Sequence, residues 1–287
     1  MIIKKLNSNK YGNMQYRIWG EKDKPNLVMF HGLGSTSESW IELAEQLSNY
    51  FYVVAVDLPA HGQTTPLREY TIENFNKWTN FFLKSIFNNQ KLYVIAHSIG
   101  CDLFLNYQSN FASKSFISQM ILLDGGYLSE ELDFNTPLED VNMNAESYLE
   151  TYQFNDWDEF LYSEKQDYRR WNSKIEQFSI NKMVSKDGKI KLKMGIKDVK
   201  GYAETFYRHP GFKNLNKTDV NTSLLISTLP VEANEIRRKA VARIHNPKVK
   251  SFFLEDTTHD MYIDRPSECL RTIKKQLLKS EVNKTFL

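Results

Sequence analysis

Ser98 lies in the pentapeptide Ala96-His97-Ser98-Ile99-Gly100, directly after the apolar run Leu92-Tyr93-Val94-Ile95. That run is rich in β-branched and aromatic residues, as a central strand buried on both faces is. Asp102 to Tyr107 then reads as a helix with an apolar face at Leu103, Phe104 and Tyr107. A serine at so sharp a strand-to-helix turn is held in strained backbone geometry with its hydroxyl pointing out of the sheet. The residues two before and two after it must be small, because strand and helix nearly touch there. Ala96 and Gly100 meet that requirement. The helix that follows aims its free N–H groups at the place where an oxyanion would form. The chemistry on offer is nucleophilic attack on a carbonyl. A helix-capping serine would leave the same pentapeptide, so the assignment turns on the rest of the chain.

The elements that must position Ser98 come from a chain of 287 residues, 41% hydrophobic and 25% charged. This is globular composition, with room for one large α/β domain carrying an insertion or for two domains. A net charge of +2 gives no case for nucleic acid or a strongly anionic partner. Cys101 and Cys269 fall on predicted helices far apart in sequence, which implies no disulfide framework or metal spacing and fits a reducing compartment. The first residues turn polar too soon for a signal peptide, so a cytoplasmic location is expected. No apolar stretch approaches ~18 residues, so no membrane span is expected.

Along the chain, strands are predicted at 14–19, 27–30, 52–56, 92–95, 120–123, 223–227 and 251–254. Helices alternate with them at 40–47, 72–87, after Ser98, through about Arg243, and to about Lys279. Strand–helix alternation with right-handed crossovers gives a mostly parallel sheet covered on both faces, with ligands at the carboxyl ends of the strands. His31, Asp57, Ser98 and Asp124 all fall at such ends. After the second strand, His31-Gly32-Leu33-Gly34 either forms an ordinary turn ahead of the next helix or offers the Leu33 N–H as half of an oxyanion hole. The Ile99 N–H would be the other half. Asp57 and His61 are read as holding a loop in shape, since they precede the nucleophile in the chain.

Between Gly125 and about Asp219 the rhythm breaks. Aromatic and charged segments replace it, with helices predicted at 144–153, 156–180 and 197–208 and a hairpin turning at Lys186-Asp187-Gly188. The division expected is a core of 1–124 and 220–287 with an inserted lid, 125–219. The lid's aromatics would either roof an apolar pocket or form a small core of their own. Lys189, Lys191 and Lys193 are expected on a solvated strand face.

Strand–His-Gly-Leu-Gly, strand–Asp-Leu-Pro-Ala-His-Gly, strand–Ala-His-Ser-Ile-Gly and a late Thr-His-Asp-Met-Tyr-Ile-Asp-Arg-Pro occur in that order. In this the chain resembles the α/β-hydrolase superfamily, and within it the lid-bearing serine hydrolases. The resemblance covers about 14–124 and 220–279 and implies an α/β-hydrolase fold. It implies Ser98 as nucleophile, His259 as the base of the loop after the last strand, and Leu33 and Ile99 as backbone oxyanion donors. The usual place for the acid, beyond the strand ending at Ser227, reads Ser-Thr-Leu-Pro with no aspartate. Asp124 and Glu232 are the two replacements, with Asp124 set ahead.

The function expected is hydrolysis of a small, apolar carboxylic ester through an acyl-enzyme on Ser98, with no cofactor and no metal. A thioesterase, lactonase or C–C bond hydrolase would share the same triad, and a non-catalytic binding module of this fold is the reading outside that class.

Overall fold

The computed structural model describes residues 1–111 and 116–282. An eight-stranded sheet is built from β1 (Ile2–Ser8), β2 (Gly12–Trp19), β3 (Asn26–Phe30), β4 (Tyr52–Val56), β5 (Leu92–His97), β6 (Ile117–Leu123), β10 (Thr222–Ser227) and β11 (Val249–Leu254). Its order is β1-β2-β4-β3-β5-β6-β10-β11. Only the β1–β2 and β2–β4 pairings are antiparallel, and the other strands run parallel. β5, the strand that delivers Ser98, is therefore central and fully buried.

Alternation within each strand explains the layers. Leu92, Val94 and Ala96 of β5 face one core, with α2 (Ile72–Phe87) and α3 (Ile99–Asn110) packed over them through Phe75, Phe82, Leu103 and Phe104. Tyr93 and Ile95 face the other core, under α1 (Ile41–Leu47) and α12 (Pro266–Val282) through Leu43, Leu47, Ile273 and Leu277.

The strand β1 was not among the predicted elements. Its sequence, Ile-Ile-Lys-Lys-Leu-Asn-Ser, carries no alternation, and it is exposed on both faces over most of its length. Pairing with β2, not burial, makes it a strand.

The segment between β6 and β10 holds α4 (Glu130–Phe134), α5 (Leu138–Thr151), β7 (Gln153–Phe154), α6 (Trp157–Asp167), α7 (Ser173–Lys182), β8 (Met183–Lys186), β9 (Lys189–Leu192), α8 (Ile196–Arg208) and α9 (Phe212–Leu215). The single helix expected over 156–180 is two, broken at Tyr168–Asn172. Asn172 starts the second by accepting the N–H groups of Lys174 and Ile175. The hairpin forms as expected, with Asp187 and Gly188 both at positive φ, +54° and +70°. That is the backbone a two-residue turn of matching twist demands. Lys189, Lys191 and Lys193 are half-buried rather than solvated, and each has a local partner: Asn155 Oδ1, Asp187 and the Asn181 carbonyl respectively.

The aromatics of this segment divide among three cores. Phe154 and Phe160 form a local one with Met183, Ile190 and Leu192. Phe178 joins the α1/α12 side, and Tyr202 and Phe206 join the α2/α3 side. Downstream, α10 (Asn234–Ala242) follows β10, and α11 (Met261–Asp264) precedes α12.

One ionic knot ties the inserted segment to the sheet. Arg17 of β2 meets Glu38 at 3.1 Å and Asp57 at 3.6 Å, all three nearly inaccessible. Glu38 also accepts from Gln177 and Asn181 of α7. Taking one partner out of a buried cluster leaves the others charged and uncompensated. Arg17→Met should therefore lower the free energy of unfolding by about 3–5 kcal/mol, measured by urea denaturation at neutral pH; a loss under about 1 kcal/mol would show the knot to be dispensable.

Candidate active site

The turn from β5 into α3 places residue 98 at φ +53° and ψ −128°. A non-glycine residue there is strained. Ser98 N–H donates to the Leu123 carbonyl at 3.0 Å, which anchors the turn to β6. Ser98 stands at the N-cap position, yet its hydroxyl makes no capping bond and faces a cavity.

Small residues surround it of necessity. A Cβ on Gly100 would lie 2.7 Å from the His31 carbonyl oxygen, and one on Gly125 would lie 2.3 Å from that of Ser98. Ala96, two residues before Ser98, is fully buried.

Asp124 ends β6 with φ +44° and its side chain buried. Four donors converge on its carboxylate. Ser227 gives its N–H to Oδ1 at 3.1 Å and its hydroxyl to Oδ2 at 2.7 Å. Tyr127 gives its hydroxyl to Oδ1 at 2.9 Å. His259 Nδ1 stands 2.9 Å from Oδ2, and the imidazole is the donor because a carboxylate can only accept. Burial pushes the Asp124 carboxyl up, but the bonds from His259 and Ser227 outweigh it and hold the group at about 2. For His259, burial lowers the ring's proton affinity while the bond and charge of Asp124 raise it, and the net is upward from 6.5.

Ser98 and His259 line the same cavity of about 410 Å³, along with the residues of both backbone donors, Leu33 and Ile99. A smaller lobe of about 170 Å³ adjoins it and also touches Ser98 and His259, walled by Tyr148, Tyr168 and Phe178. Among the described residues no hydrogen bond joins the Ser98 hydroxyl to the His259 ring, a contact that in many enzymes tightens only with substrate bound. Nor does any described hydrogen bond consume the Leu33 or Ile99 N–H, so both stay free to meet an oxygen in the cavity.

The loop bearing Leu33 is set by histidines. His61 Nε2 accepts the Gly34 N–H at 2.9 Å, and its Nδ1 donates to the Pro59 carbonyl at 2.9 Å. His31 Nε2 accepts the Leu58 N–H at 3.0 Å. Burial takes both rings down to about 3, so they are neutral near pH 7. Asp57 is fully buried, held by Ser37 and Gln15 and away from the cavity. Glu232 lies on an exposed turn, and no described hydrogen bond links it to His259.

Three contributors had escaped the sequence reading. Tyr127 and Ser227 complete the Asp124 cradle, and His97 Nε2 binds the His259 carbonyl at 3.0 Å. Tyr127, three residues past Asp124, could have been found once that aspartate was taken as the acid. For His97 and Ser227, whose partners are remote in sequence, no local signal existed.

Among the described residues no group of three His, Cys, Asp or Glu is placed to hold a metal ion, and no helix is long and apolar enough to cross a membrane.

Comparison with known proteins identifies the fold family. Over residues 25–266 the chain matches the family model described as alpha/beta hydrolase fold. It is 27% identical over 128 residues to (E)-2-((N-methylformamido)methylene)succinate hydrolase of Acinetobacter baylyi, covering 44% of this chain and 47% of that protein. The chain spans less than half the length of the curated relatives it matches. Among solved structures, E-2-(acetamidomethylene)succinate hydrolase superposes with a TM-score of 0.74 at 15% identity, over 96% of this chain and 98% of that one. A structure from a study of carboxylesterases of Nitrososphaera gargenis superposes at 0.72 and 16% identity, over 98% of this chain and 100% of that one. By the family match over most of its length, this chain belongs to the alpha/beta hydrolase fold family.

Proposed function

We propose that the chain is a serine hydrolase that cleaves a carboxylic ester through an acyl-enzyme on Ser98, with His259 as base and Asp124 as the acid that orients it. The observation that carries this reading is the 2.9 Å contact between His259 Nδ1 and Asp124 Oδ2, residues 135 apart in sequence, at the wall of the cavity that holds Ser98. A buried, ionised carboxylate on Nδ1 leaves Nε2 as the free acceptor, the tautomer a general base needs.

In this mechanism Ser98 Oγ attacks the ester carbonyl as its proton passes to His259 Nε2. The carbonyl oxygen takes up negative charge against the N–H groups of Leu33 and Ile99. Collapse breaks the bond to the alcohol oxygen, which leaves with the proton from His259. A water molecule then gives a proton to His259 and attacks the acyl carbon. The acid departs, and Ser98 recovers its proton. No step needs a cofactor. We read 125–219 as the lid of this site, since Phe206 and Tyr207 wall the larger cavity and Tyr148 and Tyr168 the smaller.

Ser98→Ala should end labelling by a fluorophosphonate probe and lower kcat on a nitrophenyl ester by about 10⁶-fold. Labelling that persists in the variant would remove Ser98 from the mechanism.

Asp124→Asn should lower kcat by about 10⁴-fold through loss of the imidazole tautomer. The pH profile carries a second signature. The base works only when neutral, so kcat/KM of the wild type should fall as pH drops through a value above 6.5. Without the carboxylate that limb should move down, because its bond and charge no longer raise the ring's proton affinity. Equal rates and an unmoved limb in the variant would exclude Asp124 as the acid.

A further inference from the structure

Two carboxylates that the proposed triad does not use, Asp102 and Glu130, line the larger cavity over Ser98. Asp124 makes a third acid on its wall, and among the described residues that line it there is no lysine or arginine. Asp102, in the first turn of α3, has only backbone compensation. Its Oδ1 accepts the Gly211 N–H at 2.7 Å. Burial lifts its carboxyl to about 7 against that bond and one from Gly126. Glu130 is the exposed first residue of α4, at the rim.

Cations around the site are already engaged: Lys182, on the wall of the adjoining lobe, pairs with Glu164 at 2.7 Å. Arg237 donates to the carbonyls of Leu229 and Pro230, at 2.8 and 2.9 Å, and to Asn234 Oδ1 at 3.1 Å. Arg243 is paired with Asp133. The remaining wall, including Leu128, Phe134, Val141 and Phe206, is apolar.

We propose that the half of the substrate seated in this cavity is an uncharged or cationic group, and that Asp102 and Glu130 exclude carboxylate-bearing analogues from it. The proposal deepens the ester-hydrolase reading and rests on it. An anion entering here would give up its water for a wall without lysine or arginine, beside Glu130 and Asp102, which is a built-in rejection of the wrong partner. An uncharged chain meets apolar wall, and a cation meets Glu130 at the rim and, beside Asp102, favours the charged form of that carboxyl. The cavity, at about 410 Å³ against about 170 Å³ for the adjoining lobe, takes the larger half.

Methyl esters test this, since methanol is the small half of each. Three acids of similar size are compared by acid release at about pH 8.5, above the value of about 7 to which burial lifts Asp102: hexanoate, trimethylammoniobutanoate and glutarate as its monomethyl ester. Wild-type kcat/KM for the first two should lie within roughly 10-fold of each other, and that for the glutarate ester roughly 100-fold below. The ratio of glutarate to hexanoate turnover is then measured within Glu130→Gln and Asp102→Asn, so that any general loss cancels. It should rise at least roughly threefold in each. Equal turnover of hexanoate and glutarate esters by the wild type overturns the proposal alone, as does a ratio unmoved in both variants. Failure of every ester together with no fluorophosphonate labelling overturns the hydrolase reading, and this one with it.

Discussion

The backbone at residue 98 has almost no free space around it. The end of β3, the first turn of α3 and the end of β6 all converge there, through Gly32, Gly100 and Gly125. A Cβ at Gly32 would come within 3.1 Å of the Ser98 Cβ. These contacts force the positive φ of Ser98, a conformation costing on the order of 1–3 kcal/mol that survives only because packing dictates it. The hydroxyl then has one direction open, into the cavity. Strand order, crossover direction and the glycines of three separate segments all serve that one close approach.

The same turn also grips the proposed base. His97 is the neighbour of Ser98, and its Nε2 holds the backbone carbonyl of His259, 162 residues away. Its ring lies 4.6 Å from that of His259 and 5.0 Å from that of Tyr262. Burial takes His97 down to about 3, so it stays neutral and acts as a donor with a fixed tautomer. Burial thus sorts the histidines. His31, His61 and His97 are enclosed and uncharged, fixing loops. His259 alone among these four has a half-exposed side chain, 52% accessible, and carries a carboxylate that raises its proton affinity.

How much of this was legible follows from where burial acts. The central strands are buried on both faces, so their apolar runs gave 52–56 with the bounds observed and the other core strands to within three residues, and the one-sided apolar face of 72–87 gave α2 with its observed bounds. The edge strand β1 is defined only by its partner and left no pattern. The segment between β6 and β10 was legible as a break in rhythm and through its Asp-Gly turn. Its aromatics were not assignable, since one Phe-rich stretch feeds three cores, and which core is a matter of tertiary contact. At the candidate site, Ser98 and His259 could be put forward because local motifs surround them. The acid stayed open between Asp124 and Glu232 because what separates them is reach across space. One of the two meets the imidazole, and the other sits on an exposed turn.

The placing of the proposed acid at Asp124 has a simple geometric basis. β6 and β10 are parallel neighbours, with Leu123 in register with Leu225. Moving the carboxylate from the loop after β10 to the end of β6 shifts it by one strand spacing, about 4.8 Å. A longer loop or a turned imidazole could absorb such a shift, but an unsupported carboxylate on the buried side would take up a proton rather than remain charged. The strand it moved from supplies the support. Leu225 accepts the Asp124 N–H at 2.8 Å, and Ser227 donates twice to its side chain. With Tyr127 added, the carboxylate keeps its charge while buried, and His259 meets an ionised partner. In that arrangement the serine at the end of β10 does for the aspartate one strand over what a solvated loop would otherwise have done, and the missing acid of the usual loop becomes a donor.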